Sequence, residues 1–203
     1  EGDELLKVKN TYGDANIIMV TQNGYAVKFN EQDVRPMGRA ASGVKAINLK
    51  GDDIAVCMDI AVDDEELLVI SENGFGKRTP ISEYKLQNRG GVGLITYKIS
   101  PKTGKLTGAT VCKDDDELML INSSGVAIRI NVSDISVTSR SAMGVTLMRT
   151  TEDEKVVAIA KILNSDDSEE NSEQVSGDNV DNSEYKDNEN VDNSIINSEH
   201  DEE

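Results

Sequence analysis

The sequence predicts an all-β protein, a propeller-like array of about three four-stranded blades in an incomplete ring. The first observation is a repeat, since the turn glycines Gly24, Gly74 and Gly125 recur at intervals of 50 and 51 residues with matching sequence around them. The second is that each copy consists of β-branched runs around a hairpin turn, without a helical pattern. A period near 50 residues is typical of propellers and of other arrays of small supersecondary units.

Three kinds of residue return at fixed distances from each turn glycine. The ninth position holds an acid, the fifteenth an arginine and the nineteenth a second glycine. The acids are Asp33, Glu83 and Asp134, the arginines are Arg39, Arg89 and Arg140, and the second glycines are Gly43, Gly93 and Gly144. These positions lie in a polar loop of about a dozen residues, and a repeated loop of that length is functional or closely packed. The glycines that follow Arg89 either let the backbone approach a phosphate or form a tight turn between blades.

The repeat divides the chain into five segments. They are the last strand of a truncated blade (1–12), three blades (13–62, 63–113 and 114–163) and an acidic tail (164–203). In the first segment, residues 3–9 match the last strand of the later copies, and we expect a strand there. Each blade is predicted to contain a hairpin of two strands, the long loop, a short third strand and a fourth strand.

In the first blade, strands are predicted at 16–21 and 25–30 around an Asn-Gly turn at Gly24. This dipeptide is a strong hairpin signal because both residues tolerate the positive φ of a type I′ turn. A third strand begins at Gly43 and a fourth spans 54–60. The equivalent strands are 67–71, 75–79, one beginning at Gly93 and 106–112 in the second blade, and 118–122, 126–130, one beginning at Gly144 and 156–162 in the third.

The formal net charge of −17 is concentrated in the tail. Residues 164–203 carry 15 acids against one lysine, which leaves 23 acids and 20 bases on residues 1–163. Low hydrophobicity with charge of one sign cannot bury enough apolar surface to offset chain entropy, so we expect the tail to be disordered. The blades themselves are nearly neutral, and an anionic partner is compatible with them.

Cysteine usage and hydropathy indicate the compartment. The two cysteines, Cys57 and Cys112, lie in apolar runs, which predicts a reducing, cytoplasmic setting without disulfides. No apolar run approaches the roughly 18 residues that span a bilayer, so no membrane partner is expected. The chain begins at Glu1 in the middle of the pattern, and we interpret it as a piece of a longer protein.

The basic residues of the blades indicate a phosphate-binding surface. The arginines at the fifteenth position either pin the loop, by binding its carbonyls or the acid six residues earlier, or form a curved basic stripe along successive blades. Lys28, Arg78 and Arg129, four residues after each turn glycine, would add a second row. Uniform cation spacing suits a phosphate backbone better than a small ligand. The candidate DNA-binding residues are Arg39, Arg89, Arg140, Lys28, Lys77, Arg78, Arg129, Lys85 and Lys45.

Catalytic chemistry has little support in the sequence. The single histidine, His200, lies in the tail, which argues against histidine-dependent triads and histidine metal sites in the blades. The acidic clusters at 63–66 and 114–117 lack the spacing of a calcium-binding loop and are predicted to be solvated turns. No catalytic residue, metal site or cofactor is therefore predicted for this chain.

Two stretches resemble a known family. Residues 76–84 (Gly-Lys-Arg-Thr-Pro-Ile-Ser-Glu-Tyr), continuing through 87–93 (Gln-Asn-Arg-Gly-Gly-Val-Gly), closely resemble the C-terminal DNA-wrapping domain found in the A subunit of bacterial DNA gyrase. Residues 33–44 resemble the same domain, and the likeness extends over residues 1 to about 163. The hallmark box of that family, Gln-Arg-Arg-Gly-Gly-Lys-Gly, has basic residues where this chain has Asn88 and Val92. We therefore interpret residues 87–93 as the related sequence of a later blade and not as the box itself.

The resemblance implies a β-pinwheel of about six blades whose basic rim wraps double-stranded DNA and gives direction to negative supercoiling by an ATP-hydrolysing type II topoisomerase. It implies ATP and Mg²⁺ only in the full complex, bound elsewhere, and a catalytic tyrosine only in the missing breakage-reunion domain. The implied partners are double-stranded DNA, the B subunit of gyrase through the missing part of the A subunit, and the dimer of full-length A subunits. The implied location is the cytoplasm, with the nucleoid.

Two alternatives to this interpretation stay open. One is the corresponding domain in the A subunit of topoisomerase IV. The other is a protein-interaction propeller that does not bind DNA, although the chain has no tryptophan and so none of the Trp-Asp pairs of WD repeats.

Overall fold

The computed structural model describes residues 4–162, which form three small antiparallel sheets and confirm the predicted all-β repeat architecture. The strands are β1 (Asn16–Thr21), β2 (Tyr25–Asn30), β3 (Ala55–Ile60), β4 (Glu66–Ser71), β5 (Phe75–Pro80), β6 (Leu94–Ile95), β7 (Leu106–Cys112), β8 (Glu117–Asn122), β9 (Ala127–Asn131), β10 (Val145–Thr146) and β11 (Val156–Ile162). Three-residue 3₁₀ turns follow β2, β5 and β9, at Glu31–Asp33, Ile81–Glu83 and Val132–Asp134.

Each unit begins with the predicted hairpin. β1 pairs with β2, β4 with β5 and β8 with β9, all antiparallel. The turn glycines Gly24, Gly74 and Gly125 have φ angles of 82°, 78° and 82°, which a residue with a Cβ adopts only at a cost. The Asn-Gly and Ser-Gly turns therefore set the register of the hairpins, as the sequence predicts.

The fourth strand of a sheet comes from the following unit. β6 pairs with β2 and β10 pairs with β5, so the first two sheets have the strand orders β3-β1-β2-β6 and β7-β4-β5-β10. The sequence repeat placed the strands that begin near Gly93 and Gly144 inside their own units, and that assignment is wrong. The first two sheets are each completed by a short strand from the following unit, so these sheets do not coincide with the sequence units. The boundaries of those units stay a prediction.

Two of the predicted strands do not form in the part of the chain that the structure describes. No strand lies near Gly43, and none lies in residues 4–9. By the pattern of β6 and β10, a strand near Gly43 would pair with a preceding sheet, and residues 4–162 contain no such sheet. Residues 4–9 instead place Lys7 and Lys9 beside Asp59 of β3, with Nζ–carboxylate distances of 3.7 and 2.8 Å. Within the same residues the third sheet has three strands, β11-β8-β9.

The core lies between successive sheets. One buried cluster joins Ile18 and Val20 of β1 to Leu67 and Val69 of β4, and a second joins Leu68 of β4 to residues of the third unit. The last strands of the units also pack together, β3 against β7 and β7 against β11. These three strands form the inner edge of the array, and β6 and β10 lie at the opposite, outer edge.

The predicted disordered tail, residues 164–203, lies outside the described residues. Between residues 4 and 162, the structure contains no helix with the length and apolar character needed to cross a membrane.

We predict that Gly74→Ala destabilises the chain much more than Gly51→Ala. Both glycines have positive φ angles, of 78° and 61°, so both substitutions carry a similar backbone strain. A Cβ on Gly74 would also collide with the carbonyl oxygen of Met148 in the next unit, whereas Gly51 has no neighbour within 4 Å. Urea unfolding should show an additional loss of about 1–3 kcal/mol for Gly74→Ala. Equal losses for the two variants would show that contact between units at this turn contributes no stability.

Candidate nucleic-acid interface

Three long loops at the outer edge carry six of the twelve exposed lysines and arginines of residues 4–162. We call them straps: strap 1 (residues 34–49), strap 2 (84–99) and strap 3 (135–150). Strap 2 leaves its 3₁₀ turn and runs beside β2 of the preceding unit, where the amide of Gln87 donates to the carbonyl of Lys28 at 2.8 Å. Strap 3 repeats this contact on β5, from the amide of Thr138 to the carbonyl of Arg78 at 2.8 Å. The straps then enter β6 and β10.

Adjacent straps also touch one another. The amide of Gly90 donates to the carbonyl of Ala46 at 2.6 Å, and the amide of Asn48 donates to the carbonyl of Gly91 at 2.8 Å. Strap 3 reaches strap 2 through Arg140, whose guanidinium donates to the carbonyl of Ile95 at 3.4 Å. The three straps therefore form a continuous surface across the three units.

The straps contain eight cations and no acid. The cations are Arg35, Arg39 and Lys45 in strap 1, Lys85, Arg89 and Lys98 in strap 2, and Arg140 and Arg149 in strap 3. In residues 4–162, only Arg140 among them lies within 4 Å of a carboxylate oxygen. Six are exposed, and Arg89 and Arg140 are half-buried. The outer edge therefore presents uncompensated positive charge.

Arg89 and Arg140 bind the preceding unit. The guanidinium of Arg89 donates to the carbonyls of Asp33 and Lys45 at 2.9 and 3.0 Å. Arg140 makes the equivalent contact with strap 2 and lies 3.9 Å from the carboxylate of Glu83. Arg89 and Arg140 therefore pin the loops by binding carbonyls, which is one of the two roles considered from the sequence. The acid involved belongs to the preceding unit, however, and the expectation of an acid six residues earlier is wrong. Arg39, at the same position of strap 1, is exposed.

The predicted second basic row is buried at its first two positions. Lys28 and Arg78 are only 6% and 4% exposed, because the straps cover the outer strands that carry them. Lys28 Nζ is 2.9 Å from a carboxylate oxygen of Asp63 and 3.4 Å from the carbonyl of Ile81. Arg78 donates to the carbonyl of Ile135 at 2.8 Å and forms ion pairs with two acids. Those acids are Glu66 and Asp114. The expectation that Lys28 and Arg78 face a phosphate backbone is therefore wrong, because both side chains are buried.

Lys77 is also enclosed and not at the surface. Its side chain is completely buried, and Nζ donates to the carbonyls of Ser139 and Arg140 at 2.6 and 2.5 Å. Nζ also lies 5.9 Å from the ring centroid of Tyr97. Burial lowers the pKa of Lys77 to about 8, although the carboxylate of Glu83 opposes this shift. Lys77 therefore holds strap 3 against β5.

The remaining candidates lie at the surface. Lys45 and Lys85 are exposed on straps 1 and 2. Arg129 is exposed on β9 and forms an ion pair with Glu117 of the neighbouring strand. The structure adds three exposed strap cations that sequence reasoning missed. They are Arg35, Lys98 and Arg149. The signal that could have found them is the absence of acids over each stretch of 16 residues, which is visible in the composition alone.

The acidic turns between units have a structural use. Asp63 and Asp114 compensate Lys28 and Arg78, and Lys113 pairs with Glu65 at 3.5 Å. The sequence predicts these turns to be solvated segments only, but in the structure they also supply ion-pair partners for lysine and arginine side chains. The acids are thus engaged away from the straps, which preserves the separation of charge between the turns and the outer edge.

Reactive side chains are few among the described residues. Burial is the main reason that the pKa of both thiols, Cys57 and Cys112, is raised to about 12, so both are protonated and inert near neutral pH. Within residues 4–162, no group of three or more histidine, cysteine, aspartate or glutamate side chains converges as metal ligands.

Comparison with protein families gives a match that covers all three units. The family is described as the DNA gyrase C-terminal domain, a β-propeller, and its model matches residues 15–56, 65–113 and 116–162. These ranges contain the three straps and every strand except β3, of which only the first two residues are matched.

Curated proteins give similar matches. The chain is 60% identical over 178 residues to the A subunit of DNA gyrase from Clostridium acetobutylicum, covering 87% of this chain and 21% of that protein. It is 41% identical over 170 residues to the corresponding protein of Staphylococcus epidermidis, covering 83% and 19%. The chain thus spans about a fifth of the length of these relatives.

Two solved structures share the fold. A DNA gyrase A C-terminal domain superposes with a TM-score of 0.71 at 29% identity, covering 75% of this chain and 52% of that one. A C-terminal domain of DNA topoisomerase IV gives 0.70 at 28% identity, covering 74% and 47%.

We predict that Lys77 makes stability rise with pH between about 8 and 10.5. The unfolded lysine binds its proton up to a pKa near 10.5, whereas the folded one releases it near 8, so the unfolded state holds more protons in this window. Folding therefore releases a proton in this window, and a higher pH favours the folded state.

The measurement is the urea midpoint of the wild type and of Lys77→Met at pH 8 and pH 10. Cys57 and Cys112 titrate with the opposite sign above pH 9, because folding raises their pKa, but they do so in both proteins. The wild type should gain roughly 1 kcal/mol per pH unit relative to the variant. A constant difference between the two proteins would show that Lys77 keeps an ordinary pKa.

Proposed function

The chain belongs to the family of the DNA gyrase C-terminal domain, and from this premise we propose that its straps bind double-stranded DNA and wrap it along the outer edge of the blades. The observation that carries the proposal is the row of strap cations without carboxylate partners, which continues from one unit to the next. A DNA duplex is a polyanion with regularly spaced phosphates, and a continuous array of cations matches it better than a compact ligand.

Binding is sequence-tolerant in this proposal. Cations at equivalent positions of successive units repeat one contact, and a repeated contact suits the uniform phosphate backbone and not the variable base edges. Arg35 and Lys85 share the eleventh position after the turn glycine, and Lys98 and Arg149 share the twenty-fourth. These pairs present equivalent charges on neighbouring units, so a duplex that follows the outer edge meets the same groups again.

Wrapping follows from the arrangement of the units. Each unit is joined to the next by the same strand exchange, so each strap is displaced from its neighbour by the same operation. Bending DNA is costly, because the duplex is stiff over about 150 base pairs, and the added phosphate contacts must offset that cost. A duplex that touches successive straps gains such contacts in proportion to the length of DNA that is wrapped.

The proposal for the longer protein follows the relatives. The chain would be part of the A subunit of a DNA gyrase, in a dimer that works in the cytoplasm with ATP and with the gyrase B subunit. The wrapped segment then gives strand passage its direction toward negative supercoils, and the chain itself contributes binding and bending. Topoisomerase IV is the second candidate because of its similar TM-score, but the curated relatives at 60% and 41% identity favour gyrase.

We predict that Lys85→Ala reduces the salt dependence of binding to a linear duplex. If Lys85 contacts one phosphate, the slope of log K against log salt concentration should fall in magnitude by about 0.9. The matched control is Lys113→Ala, which removes another exposed lysine, one that is paired with Glu65 away from the straps. The control should leave the slope unchanged. Fluorescence anisotropy over a salt series measures both.

A variant with three substitutions tests the row of strap cations as a whole. In the triple variant Arg35→Ala, Lys85→Ala and Lys98→Ala, the magnitude of the slope should fall about three times as far as in the single variant. The three cations lie on two adjacent straps, and each would contact one phosphate. Slopes equal to that of the wild type in both the single and triple variants would contradict the proposed interface.

We also predict that the chain changes the linking number of closed circular DNA. Relaxed circles are incubated with the chain and a type I topoisomerase, then stripped of protein and separated on a gel. Wrapping should shift the topoisomer distribution in one direction as the chain is added, whereas Lys113→Ala should match the wild type and the triple variant should not shift it. Tight binding without any shift would retain DNA binding and contradict wrapping.

A further inference from the structure

Each strap begins with a pair of exposed residues, a hydrogen-bond donor followed by an apolar residue. The pair comes directly after a residue that faces the core, since Tyr84 and Ile135, the tenth residues after their turn glycines, are only 1% and 2% exposed. The eleventh and twelfth residues are exposed in all three straps, and they are Arg35-Pro36, Lys85-Leu86 and Ser136-Val137. Arginine, lysine and serine side chains all donate to phosphate oxygens. Each strap therefore places an apolar side chain next to a group that can bind a phosphate.

The apolar residues of these pairs do not contribute to the core. Leu86 is 57% exposed and Val137 is 48% exposed. Among residues 4–162, both lie outside the hydrophobic clusters that hold the sheets together. One exposed aliphatic side chain is ordinary on a protein surface, but here it recurs at the same position of successive straps. The recurrence follows the surface that carries the strap cations, which indicates a ligand that extends along that surface.

The backbone at both apolar residues is held in place. Leu86 and Val137 form parallel bridges with Lys28 of β2 and Arg78 of β5. The residues on either side of Val137 are hydrogen bonded to the amide and the carbonyl of Arg78, at 3.1 and 2.8 Å. A side chain on a fixed backbone loses little conformational freedom when it binds a ligand. Leu86 and Val137 are therefore preorganised for a contact at the outer edge.

The spacing within each pair suits the backbone of a nucleic acid. Consecutive Cα atoms are about 3.8 Å apart. Along one strand of a duplex, phosphates follow one another at about 3.4 Å of helix axis, with a deoxyribose between each two. A residue that follows a phosphate-binding side chain is therefore within reach of the neighbouring sugar. The carbon face of deoxyribose is apolar, and it is the same in every nucleotide.

We propose that Leu86 and Val137 contact deoxyribose on the bound duplex. Each follows a donor, Lys85 or Ser136, that binds the adjacent phosphate. This inference rests on the proposed binding of DNA by the straps. It adds a contact that the strap cations do not provide, because burial of apolar surface releases no counterions and persists at high salt concentration. The pair of donor and apolar residue holds both parts of the DNA backbone and does not read the bases.

Binding of a linear duplex over a salt series tests this contact. Leu86→Ala and Val137→Ala should each weaken binding about three- to tenfold at every salt concentration, because each removes apolar surface that the DNA would cover. The slope of log K against log salt concentration should stay that of the wild type, since no charge is lost. Lys85→Ala, in contrast, should lower the slope. Fluorescence anisotropy measures all of these constants.

Val157→Ala is the matched control for Val137→Ala. Val157 is 53% exposed, close to the 48% of Val137, but it lies on β11 at the inner edge, away from the straps. The control makes the same chemical change and should bind DNA like the wild type. Leu86→Met keeps an apolar side chain of similar volume, and it should also bind like the wild type. Far-UV circular dichroism identifies an alanine variant that does not fold, and the other alanine variant then decides the test.

Two duplexes of different composition distinguish the sugar from the bases. A contact with deoxyribose should give the same loss of affinity on a duplex of A·T pairs and on a duplex of G·C pairs. A contact with the methyl group of thymine, in the major groove, would give a loss only on the A·T duplex. A loss confined to the A·T duplex would overturn the proposal.

Three further results would also overturn it. The first is wild-type affinity in both Leu86→Ala and Val137→Ala, and the second is an equal loss of affinity in Val157→Ala. The third is a lower slope in Leu86→Ala, which would show that Leu86 positions Lys85 and does not touch the DNA. The first result would leave the proposed function intact, because the wild type would still bind DNA and Lys85→Ala would still lower the slope. A wild type that does not bind DNA would contradict both proposals.

Discussion

Strand exchange between successive units is the constraint on which the rest of the structure depends. A β-hairpin alone leaves the amides and carbonyls of its outer strand open, and such an edge pairs with whatever strand it meets. Here the next unit closes the edge, with amides of straps 2 and 3 donating to the carbonyls of Lys28 and Arg78. Each of these hairpins is completed by its successor, so stability is shared between neighbours as in other repeat proteins.

The exchange also divides the cations into two groups with different energetics. Cations under a strap lose their hydration and require partners, which Asp63 supplies to Lys28 and Asp114 to Arg78. Lys77 is held by the carbonyls of strap 3, and burial lowers its pKa to about 8. The six exposed cations on the straps stay hydrated and need no partner. Positive charge at the outer edge thus costs little, while positive charge beneath it requires acids from the turns.

Much of the fold was predictable from the sequence, but less of the site was. The 50-residue period and the turn glycines such as Gly24 identify the hairpins, because turn chemistry is local. The sheet that a short strand joins is not local, since a strand near Gly93 suits its own unit and the preceding one equally. The burial of Lys28 and Arg78 was hidden for the same reason, because their acidic partners lie 35 and 36 residues away. The acid-free straps, by contrast, could be found from composition.

Arg89 connects two units and still contributes positive charge to the outer edge. Its guanidinium is held by the carbonyls of Asp33 and Lys45, which are neutral groups, so its positive charge is not cancelled. Arg140 is held in part by the carboxylate of Glu83 at 3.9 Å, and strap 3 carries two cations where straps 1 and 2 carry three each. The positive charge of the outer edge is therefore uneven, and it is densest where straps 1 and 2 meet.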